Sequence, residues 1–357
     1  MLSVIVPTYN ESQNVSLLSS LVAQVLAAID YELIFVDDST DNTPQVLEEL
    51  RGQDSHVRYL HREGERGLGT AVVNGFRIAK GEFIAVMDAD LQHPPEALPA
   101  MLKAIQAGAD LVIPSRFRSG GSDGGLKLHR KLVSWVARVC GKVLLKRLRG
   151  ISDPTGGFFM LRRQVIERVS LNPIGWKILI EVLVRGDYQQ VAELPYTFAP
   201  RAHNISKMGW REQFEYLQHL IRLVERSPED RLFWQTVYRE VLASCVAIGV
   251  FAFACYVVPD HVAALLAALA FVPANRRLNL PVKVKRFPFA PYRMSARYPV
   301  AVLTSGVGWV LLCYLVINEL FKLPPLLAFT TGALARTTGI IISALGINLS
   351  PHPLRSK

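Results

Sequence analysis

A mostly parallel α/β sheet with helices on both faces, followed by interfacial helices and an α-helical transmembrane domain, is the architecture this sequence predicts. Three observations predict it. Strand-like and helix-like patterns alternate through residues 2–200, as successive βα units do. Three strand-like runs end in Pro7-Thr8-Tyr9-Asn10-Glu11, Asp37-Asp38 and Asp88-Ala89-Asp90, and sheets of this kind bind ligands at the carboxyl ends of their strands. Beyond residue 240, long apolar runs surround a strongly basic loop.

The elements follow in order. Residues 3–6 form an apolar strand that runs into Pro7; the N-terminus lacks the charged n-region of a secretory signal. A helix over 14–28 leads to a strand over 31–36, a helix over 43–51, a strand over 57–60 and a helix over 70–79. Residues 82–87 read as a buried strand, because the apolar run is too short for a typical helix. A helix over 95–107 and a strand over 110–114 come next. Further on, Leu132, Val133, Val136, Val139, Cys140, Val143 and Leu144 make an apolar helical stripe among Arg138, Lys142, Lys146, Arg147 and Arg149. That stripe suits ordinary packing or a helix lying on anionic lipid. Residues 210–226 repeat the pattern with Trp210, Phe214, Leu217, Ile221 and Val224, and an interfacial role is favoured there because an apolar run follows.

Asp88-Ala89-Asp90 is the most informative motif. In an extended chain Asp88 and Asp90 project to the same side, and Gln92 follows if the extension persists. Two crowded carboxylates repel unless a cation sits between them or one stays protonated, and a hard divalent ion such as Mg²⁺ or Mn²⁺ resolves the repulsion. In isolation Asp-x-Asp is more often a solvated turn; its place after a buried strand argues for a site. Gly67-Leu68-Gly69 is either a nucleotide-side loop or a plain helix N-terminus, and it lacks the dinucleotide spacing. Asp38 suits a base or ribose hydroxyl, while Asp37-Asp38 also reads as a capped turn. Asp153, before Pro154, either orients ligand hydroxyls, acts as a base or shapes a turn, and Glu181 in an apolar run reads as a paired structural carboxylate. Nothing marks His93 as a ligand.

The chain has 357 residues, half of them hydrophobic, with a net charge of +10. Apolar runs at 241–258, 262–274, 299–317 and 324–347 are candidate spans, the last interrupted by Arg336, against a requirement of about 20 residues. Arg336 would face a lipid phosphate or neighbouring helices. Arg276, Arg277, Lys283, Lys285, Arg286, Arg293 and Arg297 fill the middle loop, so that loop, the N-terminal domain and the tail with Arg355 and Lys357 are expected to be cytoplasmic. The expected layout is a catalytic domain over 1–208, interfacial helices over 209–236, a transmembrane domain of about four spans over 237–350 and a tail over 351–357. The four cysteines show no framework spacing and read as buried hydrophobes in a reducing compartment. Topology and phosphate ligation account for the cations, so a nucleic-acid partner is not expected.

Nine stretches carry a resemblance. They are Ile5-Val6-Pro7-Thr8-Tyr9-Asn10-Glu11, Val36-Asp37-Asp38-Ser39, Gly67-Leu68-Gly69-Thr70-Ala71, Met87-Asp88-Ala89-Asp90-Leu91-Gln92-His93-Pro94-Pro95-Glu96, Ser115-Arg116-Phe117, His129-Arg130-Lys131-Leu132, Asp153-Pro154-Thr155-Gly156-Gly157-Phe158, Asn172-Pro173-Ile174-Gly175-Trp176-Lys177-Ile178-Leu179 and Arg201 with Ser206-Lys207. Together the chain resembles family 2 glycosyltransferases with the Rossmann-like GT-A fold, and within them the polyprenyl-phosphate sugar synthases. Arg66 stands where that family commonly has lysine. The resemblance implies that Pro7, Tyr9, Glu11, Val36, Asp38, Asp88 and Ala89 hold the nucleotide, and that Asp88, Asp90 and Gln92 bind Mg²⁺ or Mn²⁺. It implies that Arg116, Arg130, Arg201, Ser206 and Lys207 receive the acceptor phosphate, with Asp88, Asp90, Arg116 and Arg130 carrying catalysis.

The implied partners are a nucleoside-diphosphate sugar, a polyprenyl phosphate and the membrane. The implied reaction is an inverting hexose transfer to polyprenyl phosphate, with GDP-mannose the first choice of donor and UDP-glucose the second. An anionic nucleophile needs cations more than a base. A processive polysaccharide synthase is a poor fit, since Gln-x-x-Arg-Trp is absent. A non-catalytic protein that binds or moves polyprenyl lipid is the rival from another class, and the intact Asp88, Asp90 and Gln92 set argues against it.

Overall fold

The computed structural model describes residues 1–122, 124–125, 128–199 and 210–254. Within residues 1–230, which form one compact unit, seven strands make one mixed sheet in the order β3-β2-β1-β4-β6-β5-β7. They are β1 (Leu2–Thr8), β2 (Tyr31–Asp37), β3 (Val57–His61), β4 (Phe83–Val86), β5 (Leu111–Ser115), β6 (Phe159–Arg162) and β7 (Val191–Pro195). The helices are α1 (Val15–Val25), α2 (Thr43–Gln53), α3 (Leu68–Ile78), α4 (Leu98–Gln106), α5 (Leu128–Leu144), α6 (Gln164–Glu167), α7 (Ile178–Arg185), α8 (Trp210–Arg226) and α9 (Pro228–Ala254).

β1 pairs in parallel with β2 and β4, as β2 does with β3 and β5 with β7. β6 runs antiparallel to both β4 and β5. The period-2 alternation of the strands divides the core into two layers. Ile5, Ile34, Val36, Ile84, Val86 and Phe159 face one side, with Val72, Phe76, Leu179 and Leu220 packed on them. Leu2, Val4, Val6, Leu33, Phe35 and Met160 face the other, covered by Leu18, Val22, Leu98 and Met101. Strand order reverses between β1 and β4, with β2 beyond β1 and β6 beyond β4. Such a switch point opens a crevice at the strands' carboxyl ends, where Tyr9, Asp38 and Asp88 follow their strands.

α5 and α8 lie side by side, the Tyr216 hydroxyl donating to the Ala137 carbonyl at 2.6 Å. α8 buries Tyr216, His219, Leu220 and Leu223 and leaves Phe214, Leu217 and Ile221 exposed. α5 exposes Leu132, Val133, Trp135, Val136 and Val139, so packing among the described residues does not account for most of its apolar stripe. Among the described residues no helix is long and apolar enough to cross a membrane. Of the four apolar runs only 241–254 is described, within α9; the other three and the basic loop lie outside the described residues.

Candidate active site

Asp37 and Asp38 have different tasks. Asp37 is fully buried and accepts bonds from Thr8 Oγ1 (2.9 Å) and Ser39 Oγ (2.5 Å), with His61 Nδ1 2.8 Å from its other oxygen. It staples the ends of β1, β2 and β3. Asp38 accepts Arg62 Nε (2.7 Å), Arg62 Nη2 (2.5 Å) and the Gly67 amide (2.9 Å). Arg62 also donates to the Gly67 carbonyl and Thr70 Oγ1, so it fixes the Gly67-Leu68-Gly69 turn against β2. A carboxylate has about four lone-pair sites, which leaves Asp38 room for a ligand hydroxyl or N–H. Arg62 was missed in the sequence because nothing distinguishes it within the charged run His61-Arg62-Glu63-Gly64-Glu65-Arg66.

At the end of β1 the chain turns sharply, with Asn10 in the left-handed region at φ 54°. The Asn10 amide donates to Ser39 Oγ (2.7 Å), Asn10 Oδ1 accepts the Thr40 amide (2.9 Å), and Glu11 accepts from Asn14 Nδ2 (2.7 Å). The Arg66 guanidinium lies 4.3 Å from the Tyr9 ring centre, so Arg66 places a cation beside the end of β1. Pro7 pairs with Val36 in the sheet. Pro7, Val36 and Ala89 are all buried, so a nucleotide would meet the backbone of these three rather than their side chains.

Extension does not persist past β4. Residues 89–90 form a turn, Asp90 Oδ1 accepts the Gln92 amide at 3.1 Å, and Leu91 has φ 62°. A bulky residue in that region is a strained outlier, and such strain concentrates at functional sites. Gln92 is therefore brought round by a turn rather than by strand periodicity. It is clasped to Ala199, accepting the Ala199 amide (3.0 Å) and donating through Nε2 to its carbonyl (3.1 Å). Asp88 Oδ2 lies 3.1 Å from His93 Nε2. His93 is buried among Phe158, Tyr196 and Phe198, a rigid mount that orients Asp88.

Asp88, Asp90 and Gln92 offer oxygen donors only. Among the described residues no three His, Cys, Asp or Glu side chains are placed to hold a metal by themselves. Mg²⁺-type sites often use one or two carboxylates and complete their shell with substrate phosphate and water. The residues thus fit a hard divalent ion that arrives with a diphosphate.

The loop Asp153–Gly157 joins the two sides of the crevice. Asp153 is fully buried, and its Oδ2 accepts Arg116 Nε at 2.9 Å while Oδ1 accepts Thr155 Oγ1 at 3.2 Å. It orients an arginine and shapes its turn at once. A Cβ on Gly157 would sit 2.9 Å from Asp88 Oδ2, so only glycine lets this loop approach the carboxylate. The Arg138 guanidinium lies 3.5 Å from the Phe117 ring centre. Lys142, one turn along α5 from Arg138, is held below its usual pKa by burial and by the Arg138 charge. Arg116, Arg138 and Lys142 are thus cations grouped around Asp153. In the sequence Arg138 and Lys142 look like part of a basic helix face, and only their i,i+4 spacing signals that they act together. Arg130 lies in the first turn of α5, and its side chain is outside the described residues, as are Arg201, Ser206 and Lys207. Glu181 is the expected structural pair: it accepts His219 Nε2 (2.7 Å) and the Asn172 amide (2.9 Å). Burial raises its pKa, but those hydrogen bonds outweigh burial and hold it below the usual carboxylate range.

The profile of Glycosyl transferase family 2 matches residues 3–170. The chain is 45% identical over 232 residues to a dolichol-phosphate mannosyltransferase of Pyrococcus furiosus, covering 64% of this chain and 66% of that protein, just under two thirds of its length. It is 36% identical to the dolichol-phosphate mannosyltransferases of Mycosarcoma maydis and Saccharomyces cerevisiae, covering 62% of this chain and 78% and 86% of theirs. A glucosyl-3-phosphoglycerate synthase structure from Mycobacterium tuberculosis is a distant likeness, at 22% identity and TM-score 0.48 over 64% of this chain and 80% of that one. The sheet at whose switch point these carboxylates and cations meet is a GT-A-like one, and the chain belongs to glycosyl transferase family 2, as an enzyme similar to the dolichol-phosphate mannosyltransferases.

Proposed function

We propose that this enzyme moves a hexose, mannose from GDP-mannose in the first instance, onto a polyprenyl monophosphate in one inverting displacement. The observation that carries this reading is the division of the crevice: carboxylates Asp88 and Asp90 at the end of β4, and Arg116, Arg138 and Lys142 around Asp153. Asp153, the buried acid of the cationic half, is already bonded to Arg116 and is poorly placed to act as a base. A sugar-hydroxyl acceptor would call for a base; a phosphate nucleophile is already anionic and calls for cations that position it.

Asp88, Asp90 and Gln92 would hold Mg²⁺ or Mn²⁺, which when bound stabilises the charge growing on the leaving diphosphate. Tyr9, Glu11 and Asp38 would grip the nucleoside. Arg116, with Arg130, Arg201, Ser206 and Lys207 from the same family pattern, would receive the acceptor phosphate. Direct attack inverts the anomeric carbon, so an α-linked donor gives a β-linked lipid. The exposed apolar residues of α5 and α8 support seating on the bilayer that holds the acceptor. The charge pattern of the C-terminal runs supports a multi-pass anchor with the catalytic domain in the cytoplasm. The layout expected from the sequence, with divisions near residues 208, 236 and 350, belongs to the same proposal.

Incubating the full chain with radiolabelled GDP-mannose or UDP-glucose, a short polyprenyl phosphate and Mn²⁺ tests this. Label entering lipid from GDP-mannose, and lost in Asp90→Asn, is expected. Label from UDP-glucose alone would replace the sugar, and label from neither would overturn the transfer reading.

A further inference from the structure

We infer that Lys177 is a phosphate-positioning residue of the transfer site, its ammonium taking a phosphate oxygen of the donor diphosphate or of the lipid acceptor. This rests on the transfer reading above. Lys177 caps the start of α7, at the end of a loop pinned on three sides. Asn172 at its start is bonded to Glu181, itself bonded to His219 of α8. The Gly175 carbonyl accepts the Gly69 amide at 3.1 Å, tying the loop to the nucleotide-side turn. A Cβ on Gly69 would come within 2.7 Å of that carbonyl, so the contact requires glycine. Lys177 Nζ donates to the Thr155 carbonyl at 2.5 Å, in the loop that touches Asp88 through Gly157 and Arg116 through Asp153.

The ammonium is therefore held at the junction of the metal side and the cationic side, with little to neutralise it. Besides the Thr155 carbonyl it has the Trp176 ring, whose centre is 3.5 Å away; among the described residues no carboxylate lies within ion-pair distance. An ammonium carries three donors, and desolvating it without an anion is costly. Burial pushes its pKa down to about 7, against the pull of Asp153 and Asp88 and with the help of Arg116. The neighbouring Trp176 Nε1–H is also buried without a partner among the described residues. Two adjacent donors left underused on a pinned loop match an anionic ligand that brings its own oxygens.

The test compares Lys177→Gln and Lys177→Arg with the wild-type full chain. It uses whichever donor the wild type accepts, a short polyprenyl phosphate, and the matching nucleoside diphosphate as product inhibitor. Lys177→Gln is expected to lose about 100-fold in kcat/KM, the scale of one lost donor to developing charge. Lys177→Arg, which keeps the charge, should stay within about tenfold of wild type. A raised inhibition constant for the nucleoside diphosphate assigns the contact to the donor. A raised KM for polyprenyl phosphate with unchanged product inhibition assigns it to the acceptor. Wild-type constants in Lys177→Gln, or equal losses in both variants alongside a lowered Tm, overturn the assignment to Lys177. A wild-type chain that transfers sugar from no donor overturns the reading beneath it.

Discussion

Gly157 and Asp153 occupy one loop and make opposite demands on it. At Gly157 an added methyl meets the far end of the Asp88 side chain rather than backbone, so the fold can yield and the carboxylate cannot stay where it is. Gly157→Ala is expected to unfold within about 4 °C of wild type, the shift about 1 kcal/mol gives in a domain of this size. Its Mn²⁺ requirement in transfer assays should rise at least about tenfold. Asp153→Asn removes the charge from its buried pair with Arg116, a change that costs about 3–5 kcal/mol. A lowered Tm with a raised acceptor KM is expected; loss of kcat alone at unchanged Tm would make Asp153 a base instead. For Lys177, a pKa near 7 means the charged form disappears as pH rises through 7, so kcat/KM should fall above that pH. Lys177→Arg should remove that alkaline limb. Asp88 and Asp90 stand out in the sequence by their place after an apolar run, whereas the extension that would carry Gln92 along with them ends at the 89–90 turn. The left-handed Leu91 that brings Gln92 round does not stand out, because leucine carries no signal for that backbone.

At the scale of elements, α8 has two apolar sides with different work. Tyr216, His219, Leu220 and Leu223 pack inward, whereas Phe214, Leu217 and Ile221 are 62%, 46% and 57% exposed. Replacing those three with serine should release the protein's first unit from anionic liposomes while leaving Tm unchanged, as measured by flotation of the 1–230 segment, if that segment is shown to fold. A drop in Tm without a change in flotation would make the face a packing surface. His219→Ala leaves Glu181 buried without its strongest partner, and a loss of about 3–5 kcal/mol in thermal unfolding is expected. The heptad-like spacing of Phe214, Leu217 and Ile221 was readable in the sequence, but the inward face holds Tyr216 and His219 and looks polar on paper. The sequence places the first five strands within two residues at each end, because most of them are compact apolar runs; β3, with Arg58 and His61, is the exception. It does not place β6 and β7: β6 has four residues, and its antiparallel pairing with β4 and β5 joins segments far apart in sequence, which local pattern does not record.

Across the whole molecule, the proposed transfer requires that the crevice present cations to a nucleophile already charged. The acidic and basic halves of the site come from separate parts of the chain, β1, β2 and β4 on one side and β5, α5 and the Asp153 loop on the other, and the sheet together with the Asp153–Gly157 loop brings them together. The most direct measurement offers the full chain one labelled donor with polyprenyl phosphate or with polyprenol, matched in chain length. Label on polyprenyl phosphate and none on polyprenol is predicted, since the neutral alcohol has neither the charge that Arg116 and its neighbours grip nor a base to deprotonate it. Comparable transfer to polyprenol would mean that the crevice activates a neutral hydroxyl and that the cations do not select the acceptor.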